Sequence, residues 1–438
     1  MFWNIYPYSN LHELNLDWLL FEMKELNDRV AKIEYPNTSA DSIYINALSL
    51  GIDNTGKTPI PYIPENSKIM FPQGTYKIEG NLKVTNTEIF GDKATFTGGG
   101  SLVANNAIIH GIDFNGTNPI QTIGVVGTSK IHDCTFKNST PDAVLVCARK
   151  GICVIDNCIF DGQKINYFGV WSDNIESNDT SLHVTNSTFK NFKLNGLFST
   201  CGCVSVEKCT FTGNHVQSQP NGGGQIDIVE KSIPVAAQIK GCTFLNPGSN
   251  AASAIESENA NITIIGNYVD SRYGLYCVAL QQNAHAFIAQ NSFTPSEDVY
   301  FFLNDTSSAE FINNRYDRKT KLCNYHTRLV SYIDEPDIPD FFAGEANDKD
   351  SLCLSPRPFI KSIAANSPAR IHYKGSGCLM LCVNSGAVAV YAFAGDNSAV
   401  GTLTKIGGNL PADVTVNIFQ YYIEINSGTA GTLEYKLM

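Results

Sequence analysis

From about residue 60 onward, apolar and polar positions alternate in short runs that recur as one six-residue motif. Stacked together, IHGIDF (109–114), IHDCTF (131–136), IDNCIF (155–160), VTNSTF (184–189), VEKCTF (206–211), IKGCTF (239–244), IIGNYV (264–269), IAQNSF (288–293) and FINNRY (311–316) begin apolar and end apolar or aromatic. Their last positions lie 22, 24, 29, 22, 33, 25, 24 and 23 residues apart. A period near 24 with strand-type alternation predicts one coil of a parallel β-solenoid per repeat. The first and last residues of each row face inward, the residues between them sit at or near a bend, and coils stack about 4.8 Å apart.

The fourth column reads Ile112, Cys134, Cys158, Ser187, Cys209, Cys242, Asn267, Asn291 and Asn314. Cys, Ser and Asn exchange there, so the column asks for a small inward side chain that stacks on its own kind. A metal site would instead need fixed ligands. The chain has 13 cysteines. An odd number, no Cys-x-x-Cys pair and no export signal predict free buried thiols, with no metal and no other cofactor.

The first 35 residues follow a different period. Leu16, Leu19, Met23, Leu26, Val30 and Ile33 are spaced 3, 4, 3, 4 and 3, an a/d seam bounded by Asn10 with Glu13 and by Pro36. So short a helix is marginal alone and needs a partner, either copies of itself or a second surface. After residue 322 the motif is lost. A Pro- and acid-rich stretch (323–352) precedes short alternating strands with Gly, Asn and Ser turns over 353–438, the pattern of a small β-sandwich. The reading is therefore all-β: a parallel β-helix of about ten coils over 61–322, an N-terminal helix over 1–35, a linker over 36–60 and a C-terminal β-sandwich.

Composition narrows the function classes. Net charge is −11, from 31 Lys+Arg against 42 Asp+Glu, which argues against general affinity for nucleic acid or anionic membrane. No apolar run reaches the length of a membrane span, and the first residues lack the basic and apolar segments of a secretory signal. Synthesis and folding in a cytosol are expected.

The motif rows, the segment Phe71-Pro72-Gln73-Gly74-Thr75-Tyr76 and the order of helix, solenoid and terminal strands together resemble a bacteriophage tailspike or neck-appendage protein. The family is the pectate-lyase-like right-handed parallel β-helix superfamily. The N-terminal LHELNLDWLL…MKEL is similar to the leader of virion appendages. The family's acidic helix start before the first coil is absent from SIYINALSLGIDNTGKTPI (42–60), which implies a capping helix that is shortened or missing. The resemblance implies a homotrimer in the virion, residues 1–35 docked on a neck or tail protein, and a host-surface glycan as ligand.

A working face follows from a second strand in each coil. Aligning AVLVC (143–147), GVWSD (169–173), GLFST (196–200), QIDIV (225–229), AIESE (254–258) and GLYCV (274–278) predicts an outward stripe of Leu145, Trp171, Phe198, Asp227, Glu256 and Tyr276. Trp171, Phe198 and Tyr276 offer rings to pyranose faces. Asp227 and Glu256 are the acid/base candidates for glycoside cleavage, with Asp173 and Glu258 in reserve. Insertions in QKINYF and TGNHVQSQPNGGG fall just before this strand and are placed to wall a groove. A lyase would need a base, for which Arg272 and Lys231 lie near. His215 and His285 read as surface groups in or near turns.

Two accounts of the stripe stand at this point: a carbohydrate groove, with or without cleavage, or a solvent-washed or intersubunit face. The functional readings are accordingly a virion appendage that binds host polysaccharide, a polysaccharide depolymerase of the same architecture, or a bacterial polysaccharide-degrading enzyme with no virion role.

Overall fold

The computed structural model describes residues 43–438 apart from 174–179, 217–222, 232–234, 247, 249–252, 271–275, 295–298, 304–306, 317–320, 325–328, 334–352, 355–358, 364–368, 373–374, 384–386, 396–401, 419–421, 428–430 and 438. The helical seam from Leu16 to Ile33 lies outside the described residues. The chain is an all-β, right-handed parallel β-solenoid of about ten coils. It divides into two compact units, the first running to Ala279 and including Asn291–Asp298, the second comprising Leu280–Gln290 and Val299 onward.

In the first unit the motif's first column forms a continuous ladder. Ile69, Ile89, Ile109, Ile131, Ile155, Val184, Val206, Ile239 and Ile264 pair in register from coil to coil, and all are fully buried. The last column stacks rings: Phe114, Phe136, Phe160, Phe189, Phe211 and Phe244 follow one another at centroid separations from 4.7 to 5.1 Å, within 10° of parallel. Parallel, in-register strands hold identical side chains one above the other, so a single residue choice repeated every coil fills the core.

The bend between these columns is a left-handed residue. Gly111, Asp133, Asn157, Asn186, Lys208, Gly241, Gly266, Gln290 and Asn313 occupy the motif's third position with φ from 50° to 68°. Gly and Asn tolerate this conformation best and fill six of these nine positions, while Asp133, Lys208 and Gln290 adopt it in the other three.

The fourth column bonds across this bend. Cys134, Cys158 and Cys209 point their thiols at the carbonyls of His132, Asp156 and Glu207, at 3.2 to 3.3 Å, and at first-column carbonyls of the preceding coil. Asn267 and Asn291 donate Nδ2 to the carbonyls of Ile239 and Ile264. Side chains of this column also accept from the coil before: Ser187 Oγ from Cys158 N, Cys242 Sγ from Cys209 N, Asn267 Oδ1 from Cys242 N. Cys, Ser and Asn share a small size with one donor and one acceptor, so they substitute for one another. Cys134, Cys147, Cys153, Cys158, Cys201, Cys203, Cys209, Cys242 and Cys277 are free and buried, and burial pushes the thiols of Cys134 and Cys209 well up, which keeps them protonated as donors.

Parallel pairing begins with Ile45–Asn46 on Ile69–Met70 and Thr55–Pro59 on Gly74–Lys77. Between them Ala47–Leu50 makes a four-residue 3-10 helix, capped by Asn46 and ended by Gly51 at φ 74°. Asp53 holds the turn after it, accepting from the N–H groups of Thr55, Lys57 and Thr58 and from the Thr55 hydroxyl. Those bonds, led by Thr58 N–H, hold its carboxyl down at about 2 against an ordinary 3.8. A depressed carboxylate stabilises the fold above about pH 4 and loses that contribution as pH falls toward 2. Asp53→Ala should therefore speed amide exchange in Ile45–Pro59 at neutral pH and remove the acid-dependent acceleration below pH 4. An unchanged exchange profile would show that the bonds do not hold the turn.

In the second unit, His285–Ala289, Ser308–Ile312, Leu329–Ile333 and Cys353–Leu354 pair in parallel succession, and Val299–Leu303 pairs parallel with Lys321–Asn324. Asn314 Nδ2 donates to the Ile288 carbonyl, continuing the fourth-column bond. Farther along, pairing turns antiparallel. One five-stranded sheet orders Phe359–Ile363, Gly431–Leu437, Gly375–Val383, Ala387–Gly395 and Thr402–Gly408, and a three-stranded sheet orders Ala369–His372, Tyr422–Ser427 and Val414–Ile418.

Candidate functional site

The second strand of each coil builds a separate parallel sheet, and its register assembles most of the stripe. Trp171 pairs with Phe198, Phe198 with Asp227, and Asp227 with Glu256. Their neighbours Val170, Leu197, Ile226 and Ile255 are fully buried in the solenoid, so the four stripe residues share the opposite face. Tyr276, half-buried, opens the strand Tyr276–Gln281 that lies next to the Glu256 strand.

The stripe differs from expectation at its first member. Cys147, not Leu145, pairs with Trp171, and Leu145 is fully buried. All five residues of Val144–Ala148 are buried, so this strand offers no alternation from which to read its phase. The column therefore passes from Gly124 and Cys147 to Trp171.

The aromatic end is broader than the stripe. Phe168, half-buried, lies 6.1 Å from Trp171 and 5.5 Å from Phe198 between centroids, and Tyr167 lies 6.2 Å from Phe168. Both come from the inserted QKINYF segment, whose two rings were the available signal. Lys193 Nζ stands 5.1 Å from the Tyr167 centroid and bonds Asp142 Oδ1 at 2.6 Å, while Lys231 Nζ stands 5.7 Å from the Phe198 centroid.

At the acidic end, in-register neighbours on adjacent parallel strands are roughly 4.8 Å apart. Asp227 is half-buried and Glu256 is 3 % exposed. Burial, then the charges of Glu256 and Glu258, push the Asp227 carboxyl well above the ordinary carboxylate range, with Lys231 opposing. Burial beside a second carboxylate therefore favours the protonated form of Asp227 over that of an exposed aspartate. Glu258 pairs in register with Val229 and sits two residues along from Glu256 on the same face. Asp173 is buried just beyond Phe168–Ser172. The indole Nε1 of Trp171 and Oδ1 of Asp227 are shielded from water and form no hydrogen bond with the chain. Such groups cost about 1–3 kcal/mol each when left unmade.

The histidines are not surface groups. His215 is 1 % exposed, with φ 68° and both ring nitrogens without a hydrogen bond, and burial holds its imidazole down at about 4. His285 is half-buried and its Nδ1 meets Ser308 Oγ at 2.5 Å. The turn residues around His215 concealed a packed position: a Cβ on Gly223 would come within 2.3 Å of its Cε1. Arg272 lies outside the described residues. Among the described residues no group of three His, Cys, Asp or Glu side chains is arranged to hold a metal ion, and no helix is long and apolar enough to cross a membrane.

No protein-family description and no curated protein sequence matches this chain. Its structure is similar to the gp42 tailspike of Acinetobacter phage vb_AbaP_AS12, with a TM-score of 0.50 at 11 % identity, covering 88 % of this chain and 81 % of that one. Other matches are the tailspike protein gp49 of Acinetobacter baumannii bacteriophage Fri1, a capsular polysaccharide depolymerase (TM-score 0.46, 10 % identity, 91 % and 86 % covered), and the tailspike of E. coli bacteriophage HK620 in complex with a pentasaccharide (0.38, 11 %, 87 % and 85 %). The likeness at these identities is one of fold: a tailspike-type parallel β-solenoid.

Proposed function

We propose that the chain is a bacteriophage virion appendage that binds host-surface polysaccharide along the stripe from Trp171 to Glu256. The observation that carries this reading is the register itself: two rings and two acids on successive coils of one outward column, widened by Phe168 and Tyr167. An extended sugar chain needs such a repeat, with rings against pyranose faces and carboxylates accepting from hydroxyls. The tailspike-type fold is consistent with it. In this reading the chain forms a homotrimer, the seam from Leu16 to Ile33 docks residues 1–35 on a neck or tail protein, and 353–438 form a terminal sandwich. The domain limits at 35, 60, 322 and 352 belong to the same proposal.

A second reading, depolymerase activity, is favoured by one feature. Asp227 tends to hold a proton beside Glu256, the pairing of an acid and a base or nucleophile that glycoside hydrolysis uses. Glu258 and Asp173 remain reserves.

Both readings meet in one experiment. Purified protein is titrated with capsular and wall polysaccharides of candidate hosts, and released fragments are sought. Trp171→Ala should weaken binding about tenfold, equivalent to ~1.4 kcal/mol, by removing the largest ring and its buried N–H. Unchanged affinity would remove the stripe from the binding surface. Fragments that disappear with Asp227→Asn would establish the depolymerase; none released from any bound polysaccharide would leave a binding protein.

A further inference from the structure

We propose that Lys231 is an internal competitor for the sugar at Phe198, a side-chain cover that the ligand must displace. The proposal rests on the reading of the stripe as a glycan-binding surface.

Phe198 is half-buried, with Phe168 packed against it at 5.5 Å and tilted by 43°. The Lys231 ammonium stands over the ring at 5.7 Å. Lys231 itself is exposed, four residues beyond Asp227, which is the register partner of Phe198. One ammonium thus serves two neighbours. It covers the ring against which a pyranose would lie, and it offsets the charges of Glu256 and Glu258 around Asp227.

A neutral sugar stacking on Phe198 cannot share that space with an ammonium. Expelling an exposed cation from a phenyl face costs about a two- to fivefold loss in affinity, so the cover is weak enough to open and strong enough to measure. Removing the lysine removes the competition, because the ring is already uncovered. Lys193 does not duplicate the role, since it is tied to Asp142 over Tyr167.

The test is an array of neutral and uronate-bearing bacterial oligosaccharides, followed by titration calorimetry of the best binder. Wild type is compared with Lys231→Met and Lys231→Arg. Lys231→Met should bind two- to fivefold tighter, and Lys231→Arg, which keeps a cation on the ring, should behave as wild type. Equal affinity in Lys231→Met would overturn the proposal and leave the glycan surface standing. Weaker binding would also overturn it, making Lys231 a direct ligand contact. If no oligosaccharide binds either wild type or Lys231→Met, the glycan surface fails and this proposal with it.

Discussion

Replacing Phe160 with alanine should destabilise the solenoid by about 3–5 kcal/mol, the range for emptying a buried aromatic position. The ring is fully buried between Phe136 and Phe189, 4.7 Å from each and within 4° of parallel, so both neighbours lose a stacking face and neither can collapse far along a ladder fixed by backbone pairing. Because each coil meets only its neighbours, the damage is local before it is global. Amides of Thr135–Asn138, Ile159–Asp161 and Thr188–Lys190 should exchange faster, while those of Lys68–Phe71, several coils away, keep their protection. Thr188→Ala provides the control. It lies one residue before Phe189 on the outward side and should change stability by less than about 0.5 kcal/mol. Hydrogen exchange with denaturant unfolding checks both, and a Phe160→Ala loss below about 1 kcal/mol would show that the ring ladder is not what holds the coils.

The ladder was legible in the sequence because each column answers one physical demand. Inward positions ask for Ile, Val or Phe, the left-handed corner asks for Gly or Asn, and the corner's bonding partner asks for Cys, Ser or Asn. Repetition every coil amplified each signal, so the six-residue row located the core, the bend and the outward phase together. Asp227 and Glu256 could be placed side by side because Ile226 and Ile255 fix the phase of their strands. The stripe was lost at Leu145, where Val144–Ala148 is buried on both faces and period-2 alternation disappears. The Phe168 and Tyr167 rings were missed as site residues because they precede the aligned GVWSD stretch: Phe168 pairs with the buried Val144 at the first position of its strand, and Tyr167 lies ahead of it. His215 was misjudged for another reason: Gly-Asn-His suggests a surface turn, but the glycines at 223 and 248 let another part of the chain close over it. Only tertiary packing supplies that information.

His215 should make the protein lose stability progressively as pH falls from about 6.5 toward about 4. Its imidazole is buried with no hydrogen bond to either nitrogen, and burial is what holds it at about 4 against an ordinary 6.5. Its backbone is fixed on both sides: His215 N donates to the Phe192 carbonyl at 3.0 Å, and Gly248 N donates to the Asn214 carbonyl at 2.6 Å. Gly223 packs directly against the ring, so protonating it in place leaves the charge without a solvating partner. A base whose pKa is lowered on folding stabilises the native state fully above the unfolded value, and that stability is lost as pH falls from about 6.5 through about 4. At 1.36 kcal/mol per unit the loss approaches about 3 kcal/mol at the lower end. His110 and His183 are also held below 6.5 by burial and pull in the same direction, so the comparison has to be between proteins that share them. His215→Asn suits this purpose, since asparagine tolerates the left-handed backbone and carries no titrating group. At pH 7 the variant should be equal or less stable than wild type, because the packed ring is gone. Near pH 4 it should be the more stable of the two, and the curves of stability against pH should cross between pH 4 and 6.5. Unfolding measured across that interval decides the matter: parallel curves would mean that His215 is protonated at no cost, and that the cavity around it admits water.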